Sequence, residues 1–163
     1  MTKSAEDPVK KLGEMIKDID FCMLTTIDNG VLRSRPMSTQ NDEFNGVLWF
    51  LTSTDSHKMS EVEADNRVNV SYAEPKSNRF ISVSGTASMV QDQGLIEKYW
   101  NPMHRAWFPE GKDDPRLCLL KVEVEQAEYW DASSSTLRQL VGFVKAIVTN
   151  KEADVGENEK IDL

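Results

Sequence analysis

The sequence predicts a mainly β domain with helices, in which six strands in mostly antiparallel succession close a small barrel and helices cover its ends and seams. Three observations lead to that class. Short runs rich in β-branched and aromatic residues alternate with turn residues, as in residues 21–27, the turn Asp28-Asn29-Gly30 and the returning run 31–39. Helical periods are few and brief, opening near Pro8, Ser56 and Asp92. The 163 residues, 39% of them hydrophobic, suffice for one domain with its own core.

Asp7-Pro8 opens the first helix, an acidic N-cap followed by proline at the first helical position. Val9, Leu12, Ile16 and Ile19 form one apolar stripe, which predicts a helix over 8–20. Residues 21–27 read as a strand, Asn29-Gly30 supplies a turn tolerant of positive φ, and 31–39 returns. Pro36 removes a ladder donor, so this second strand is expected at an edge or locally irregular. Asn45-Gly46 makes the next turn, and 47–52 is the third strand. After the polar loop 53–55, Ser56 reads as the N-cap of a helix over about 57–65, with Met59 and Val62 inward. Strands four and five follow at 67–73 and 80–90, with Gly85 a bulge. Asp92 caps a third helix that Asn101-Pro102 ends, and the segment MHRAWFPEGKDDP is expected to be irregular or part-helical. Leu120, Val122 and Val124 alternate with charged residues in a long strand over 117–130. Leu137, Leu140, Val141, Val144 and Ile147 define a last amphipathic helix. One domain over 8–148 is therefore expected, followed by an acidic tail over 149–163. From Lys151 the tail carries five acids and two lysines without an apolar period and is expected to be disordered.

Composition excludes several function classes. A net charge of −8 gains no counterion-release energy from nucleic acid. No apolar run is long enough to span a membrane, and the polar start MTKSAEDPVKKL shows no secretory signal, so a cytoplasmic location is expected. Cys22 and Cys118 lie in apolar stretches and read as buried, reduced thiols. His57 and His104 share no metal-ligand spacing with them, so no metal site is expected. Nucleotide-binding glycine motifs and the nucleophile elbow are missing.

Three patches could carry chemistry. In WFLTSTDSHK (49–58) a strand ends, a hydroxyl-rich loop follows, and a helix begins with Lys58 in its first turn. A helix N-terminus with Thr52, Ser53 and Ser56 hydroxyls suits a phosphate. In RSRPMS (33–38) Arg33 and Arg35 stand at i and i+2, on one face of a strand, and can fork onto phosphate oxygens. The indoles and other rings at Trp100, Trp107, Phe108, Tyr129 and Trp130 are platforms for stacking or for a subunit interface. Each patch alone also reads as an ordinary cap, a solvated edge strand or core filling.

Together with AWFPEGKDDPR (106–116) and EYWD (128–131), these patches resemble the pyridoxamine 5′-phosphate oxidase-like flavin-binding split barrels, and within them the bacterial general stress protein branch. The resemblance implies a six-stranded antiparallel split barrel, homodimeric, holding FMN non-covalently between subunits. It puts Arg35 at the phosphate and the backbone of Pro36, Met37 and Ser38 beside the flavin ring. Leu51 and Thr52 fall on the next flavin-contacting strand. Ser56, His57 and Lys58 correspond to a Ser-Arg-Lys phosphate cradle, and Trp130 to a tryptophan that approaches the flavin from the partner subunit. Two basic positions of the oxidases are Gln40 and His57 here, which implies looser flavin binding or help from Arg33. In place of the oxidases' Arg-x-His substrate motif, residues 137–141 offer an apolar helix face with only Arg138 nearby, so pyridoxal-phosphate formation is not expected. The implied function is a flavin-dependent oxidoreductase of unassigned substrate with a stress-related role, with a nicotinamide nucleotide as a candidate electron donor and no assigned catalytic residue. The alternatives are a non-enzymatic flavin carrier or sensor, a dimeric interaction barrel without ligand, and a related barrel holding haem or a deazaflavin, for which His104 is the only axial candidate.

Overall fold

The computed structural model describes residues 7–40, 43–132 and 157–163. The elements run α1 (Pro8–Ile16), β1 (Phe21–Asp28), β2 (Val31–Ser38), β3 (Val47–Ser53), α2 (His57–Ala64), β4 (Arg67–Glu74), β5 (Arg79–Val90), α3 (Gln93–Tyr99), β6 (Leu117–Asp131) and β7 (Glu157–Asp162). The Asp7 carboxylate accepts from the Val9 N–H and caps α1, which ends sooner than its apolar stripe. Ile19 still reaches the core from the turn that follows. Three 3-10 turns break up the remainder, two of them in the proline- and glycine-rich segment 102–113.

All strand pairings are antiparallel, in the order β2-β1-β4-β5-β6-β3, with β7 added to β6. The six expected strands are present. The seventh corrects the expectation of disorder for the last residues of the tail: Ile161 is buried against the core, and residues 157–162 pair with 126–131. Isoleucine within a charged run shows no period, but an unfilled stretch of strand edge on β6 gives it a place to bury. The amphipathic helix expected over 137–147 lies outside the described residues.

The sheet curls around one core of inward-facing residues from β1, β3, β4, β5 and β6, closed by Leu12, Met15 and Ile16 of α1 and by Met59 and Val62 of α2. A second cluster joins α3 to the other face of β6 through Ile96, Tyr99, Phe108, Leu117 and Leu119. The curled sheet does not close: β2 and β3 are its two ends and pair with no other described strand along their outer edges. This opening is the split of the barrel. Pro36 stands on one lip, where its missing N–H costs no ladder bond, and β2 keeps an unbroken register with β1.

One irregularity sets the orientation of the β6 side chains. Gly85 pairs with Val124, whereas Ser84 pairs with Gln126, so Glu125 is an extra residue opposite Gly85. Before this bulge Leu120, Val122 and Val124 face the core; after it Ala127 and Tyr129 do, and Trp130 turns outward. A straight alternation would have buried Trp130.

Both cysteines are buried and free. Burial pushes the Cys22 thiol up to about 12, opposed by a hydrogen bond with Tyr72. Burial likewise pushes the Cys118 thiol up to about 11, with nearby Lys58 acting in the opposite direction. Since the thiolate is the reactive form, neither should react with a thiol reagent in the native protein at pH 8, and both should react in denaturant. Native labelling would contradict this reading.

Candidate functional site

The inner face of β2 and the first turns of α2 meet at the split. Arg33 and Arg35, two residues apart, both point to that face, opposite Thr26 and Leu24 of β1. Both guanidinium groups reach Glu61 of α2. Arg35 Nη2 lies 2.7 Å from Glu61 Oε2, and Arg33 Nη1 lies 3.1 Å from Glu61 Oε1. Arg35 Nη1 also donates to Thr26 Oγ1 at 2.6 Å, and Thr26 in turn donates to Glu61. Arg33 has a second acid, Asp28, at 3.0 Å. The Glu61 side chain is 5% exposed, the Arg35 side chain 20%. Both arginines are thus neutralised by carboxylates within the chain.

Lys58 differs from them. It lies one turn before Glu61 on the same face of α2 and forms no ion pair among the described residues. Burial pushes its ammonium below the ordinary lysine range, and Arg35 adds to the shift; Cys118 and Glu61 act the other way. Ser56 occupies the N-cap position with extended backbone, but its hydroxyl does not cap the helix. Its Oγ is buried and has no hydrogen-bond partner among the described residues. A desolvated, unpaired cation and an orphaned buried hydroxyl at one helix N-terminus are the features that an anionic oxygen group satisfies. A phosphate fits them.

The other anticipated residues are distributed as follows. Thr52 is buried on β3 opposite Cys118, and Leu51 pairs with Leu119 and packs against the α3 cluster, so only its backbone reaches the split. Ser53 donates to Asp55 and is already engaged. His57 is exposed on the first turn of α2, and its carbonyl accepts from Ser60 Oγ at 2.8 Å. Met37 is partly buried against the core, and Ser38 is exposed at the lip. Gln40 does not join the cationic group. It lines a cleft of about 260 Å³ along the earlier part of β3, together with Phe44, Trp49, Lys98 and Tyr99. His104 Nδ1 accepts from the Asn101 N–H at 2.9 Å, which engages that ring nitrogen in a 3-10 capping box.

Pro36 and Trp130 belong to the opposite face of the sheet. There they line an apolar cleft of about 380 Å³ with Phe21, Met23 and Phe80. Phe21 is 68% exposed, and Met23, Phe80 and Trp130 are each about two-fifths exposed. Within one chain Trp130 is therefore not brought to Lys58 and Arg35.

Glu61 and Thr26 had no counterpart in the sequence reading. The spacing Lys58-x-x-Glu61 and the register of Thr26 with Arg33 were the available signals, but in an acidic chain one glutamate does not stand out.

A curled antiparallel sheet left open between its two end strands is a split barrel. The sequence model of the pyridoxamine 5′-phosphate oxidase-like family matches residues 7–154, and the chain belongs to that family. It is 30% identical to protein bli-3 of Neurospora crassa, over 96% of this chain and 80% of that protein. It is 29% identical to general stress protein 26 of Bacillus subtilis, over 80% of this chain and 94% of that one. The solved structure of the general stress FMN/FAD binding protein from Xanthomonas citri is 28% identical and superposes with a TM-score of 0.67, covering 78% of this chain and 90% of that one.

Proposed function

We propose that the chain binds FMN non-covalently, with the phosphate on Ser56, Lys58 and Arg35 and the ring along the lips of the split, beside the backbone of Pro36, Met37 and Ser38 and of Leu51 and Thr52. The observation that carries this reading is the pairing of an unpartnered buried Ser56 hydroxyl with an unpaired, desolvated Lys58. Bound flavin would supply reversible electron and hydride transfer. The chain's own residues fix the phosphate and present two open strand edges to the ring.

The function that follows is a flavin-dependent oxidoreductase, cytoplasmic and stress-related, without pyridoxamine phosphate oxidase activity. A nicotinamide nucleotide is the proposed reductant. One observation favours the alternative of a flavin carrier or sensor: the buried acid at the site, Glu61, is tied up by two arginines and is not free to act as a base. Anaerobic mixing of the FMN-loaded protein with NADH and NADPH separates the two. Bleaching of the flavin at a catalytic rate supports the enzyme, and an unreduced flavin with both donors supports the carrier.

A homodimer is part of this proposal. The exposed apolar group of Phe21, Met23, Phe80 and Trp130 calls for a covering surface, and a second copy would bring Trp130 to the neighbouring flavin. Light scattering should give about twice 18.5 kDa. Phe80→Glu should shift the mass to that of one chain and weaken FMN binding, whereas a wild-type monomer that fills with flavin would contradict the arrangement.

Binding should depend on pH in a defined direction. The Lys58 ammonium is held below the ordinary lysine range in the free protein, and a bound phosphate would raise it again. Affinity is then greatest below the free-protein value and falls as pH rises through it toward the complex's value. The loss should appear at a lower pH than an exposed lysine would give, and Lys58→Arg should remove it. A flat profile in the wild type up to the ordinary lysine range would count against phosphate contact by Lys58.

A further inference from the structure

We infer that Glu61 is the positioning residue that aims Arg35 at the flavin phosphate; this rests on the FMN reading above. Arg35 springs from an end strand with an open edge, where a long side chain is ordinarily free and ordering it is costly. Here its guanidinium is held on two sides, by Glu61 Oε2 at 2.7 Å and Thr26 Oγ1 at 2.6 Å. Glu61 comes from the same helix as Lys58, one turn further on, so the ion pair ties the β2 lip to the face of α2 that carries the free lysine. Arg35 and Lys58 are close enough to repel one another. Glu61 offsets that repulsion before any ligand arrives, and its other oxygen holds Arg33 beside them at 3.1 Å. A guanidinium has five N–H donors in a fixed fork. Two point at Glu61 and Thr26, and three remain for the ligand. The carboxylate is not a phosphate ligand itself. It fixes the plane and position of one, which lowers the ordering cost of binding.

Phosphate positioning has a signature that a general structural role lacks, because riboflavin carries the same ring without the phosphate. Calorimetric titration of the full chain with FMN and with riboflavin, for the wild type, Glu61→Gln and Glu61→Asp, provides the test. In Glu61→Gln the amide keeps one acceptor and turns a donor toward an arginine, so Arg35 is released toward solvent. FMN affinity should fall at least tenfold and riboflavin affinity should stay within twofold, with partial recovery in Glu61→Asp. Equal losses for both ligands would reduce Glu61 to a structural residue and overturn the inference. An unchanged or tighter FMN affinity would also overturn it, by making Glu61 a competitor of the phosphate. A wild type that binds FMN and riboflavin equally would instead defeat the phosphate reading itself, before any Glu61 variant is made.

Discussion

Lys58→Ala is expected to weaken FMN binding by roughly 30- to 150-fold while leaving the fold intact, which corresponds to about 2–3 kcal/mol for a charge-assisted contact in a partly desolvated site. The fold should survive because Lys58 has no carboxylate partner to strand, and its removal relieves Arg35 of a like charge. Arg35→Ala should behave differently. It removes the closer of Glu61's two arginines and leaves a carboxylate that is 5% exposed only partly compensated. That variant should lose both FMN affinity and thermal stability, whereas Lys58→Ala should lose affinity alone. Titration with FMN and thermal melts of both proteins decide the matter. Equal melting losses, or a Lys58→Ala protein that binds FMN like the wild type, would contradict the assignment of Lys58 as the principal phosphate cation.

Gly85→Ala is expected to be the most damaging added methyl among the described glycines. A Cβ on Gly85 would stand 2.0 Å from the Glu123 carbonyl oxygen and 2.9 Å from its carbon. Both are backbone atoms of β6, so no side chain can swing aside, and β5 and β6 must part at the bulge. A cost of roughly 3 kcal/mol or more is expected, within the range of overpacked or strained sites. For a domain of this size the melting temperature should fall by about 6–12 °C. The variant should also affect the outward face, because the Glu125 bulge sets the phase in which Trp130 points out and Tyr129 points in. Trp130 fluorescence and the solution mass should therefore change together. A melting temperature within a degree or two of the wild type would show that the bulge tolerates a side chain.

The parts of the fold legible in the sequence are those governed by local chemistry. Asn29 and Gly30 adopt φ of 49° and 80°, the positive values that the hairpin turn requires, and they fix the β1–β2 register on which Arg33 and Arg35 share a face. The Asp7 and Asp92 caps accept from Val9 and Leu95 as their positions imply. What sequence could not supply depends on long-range pairing. The Ser56 hydroxyl looks like any helix cap until the structure shows it buried and unbonded. Glu61 becomes distinctive only when β2 folds across α2. The β7 strand has one apolar anchor, Ile161, too little for periodicity but enough once β6 offers an edge. The bulge at Gly85 was legible, but the outward turn of Trp130 depends on which residue of β6 lies opposite it, and that long-range register is not written in the sequence.

The most direct measurement is a calorimetric titration of the purified full chain with FMN, with riboflavin run in parallel. Saturation at one FMN per chain is expected, with riboflavin binding roughly 30-fold weaker or more, the share due to the phosphate contacts. Failure to saturate with FMN, or equal affinities for the two flavins, would contradict the claim that Ser56, Lys58 and Arg35 form a phosphate cradle.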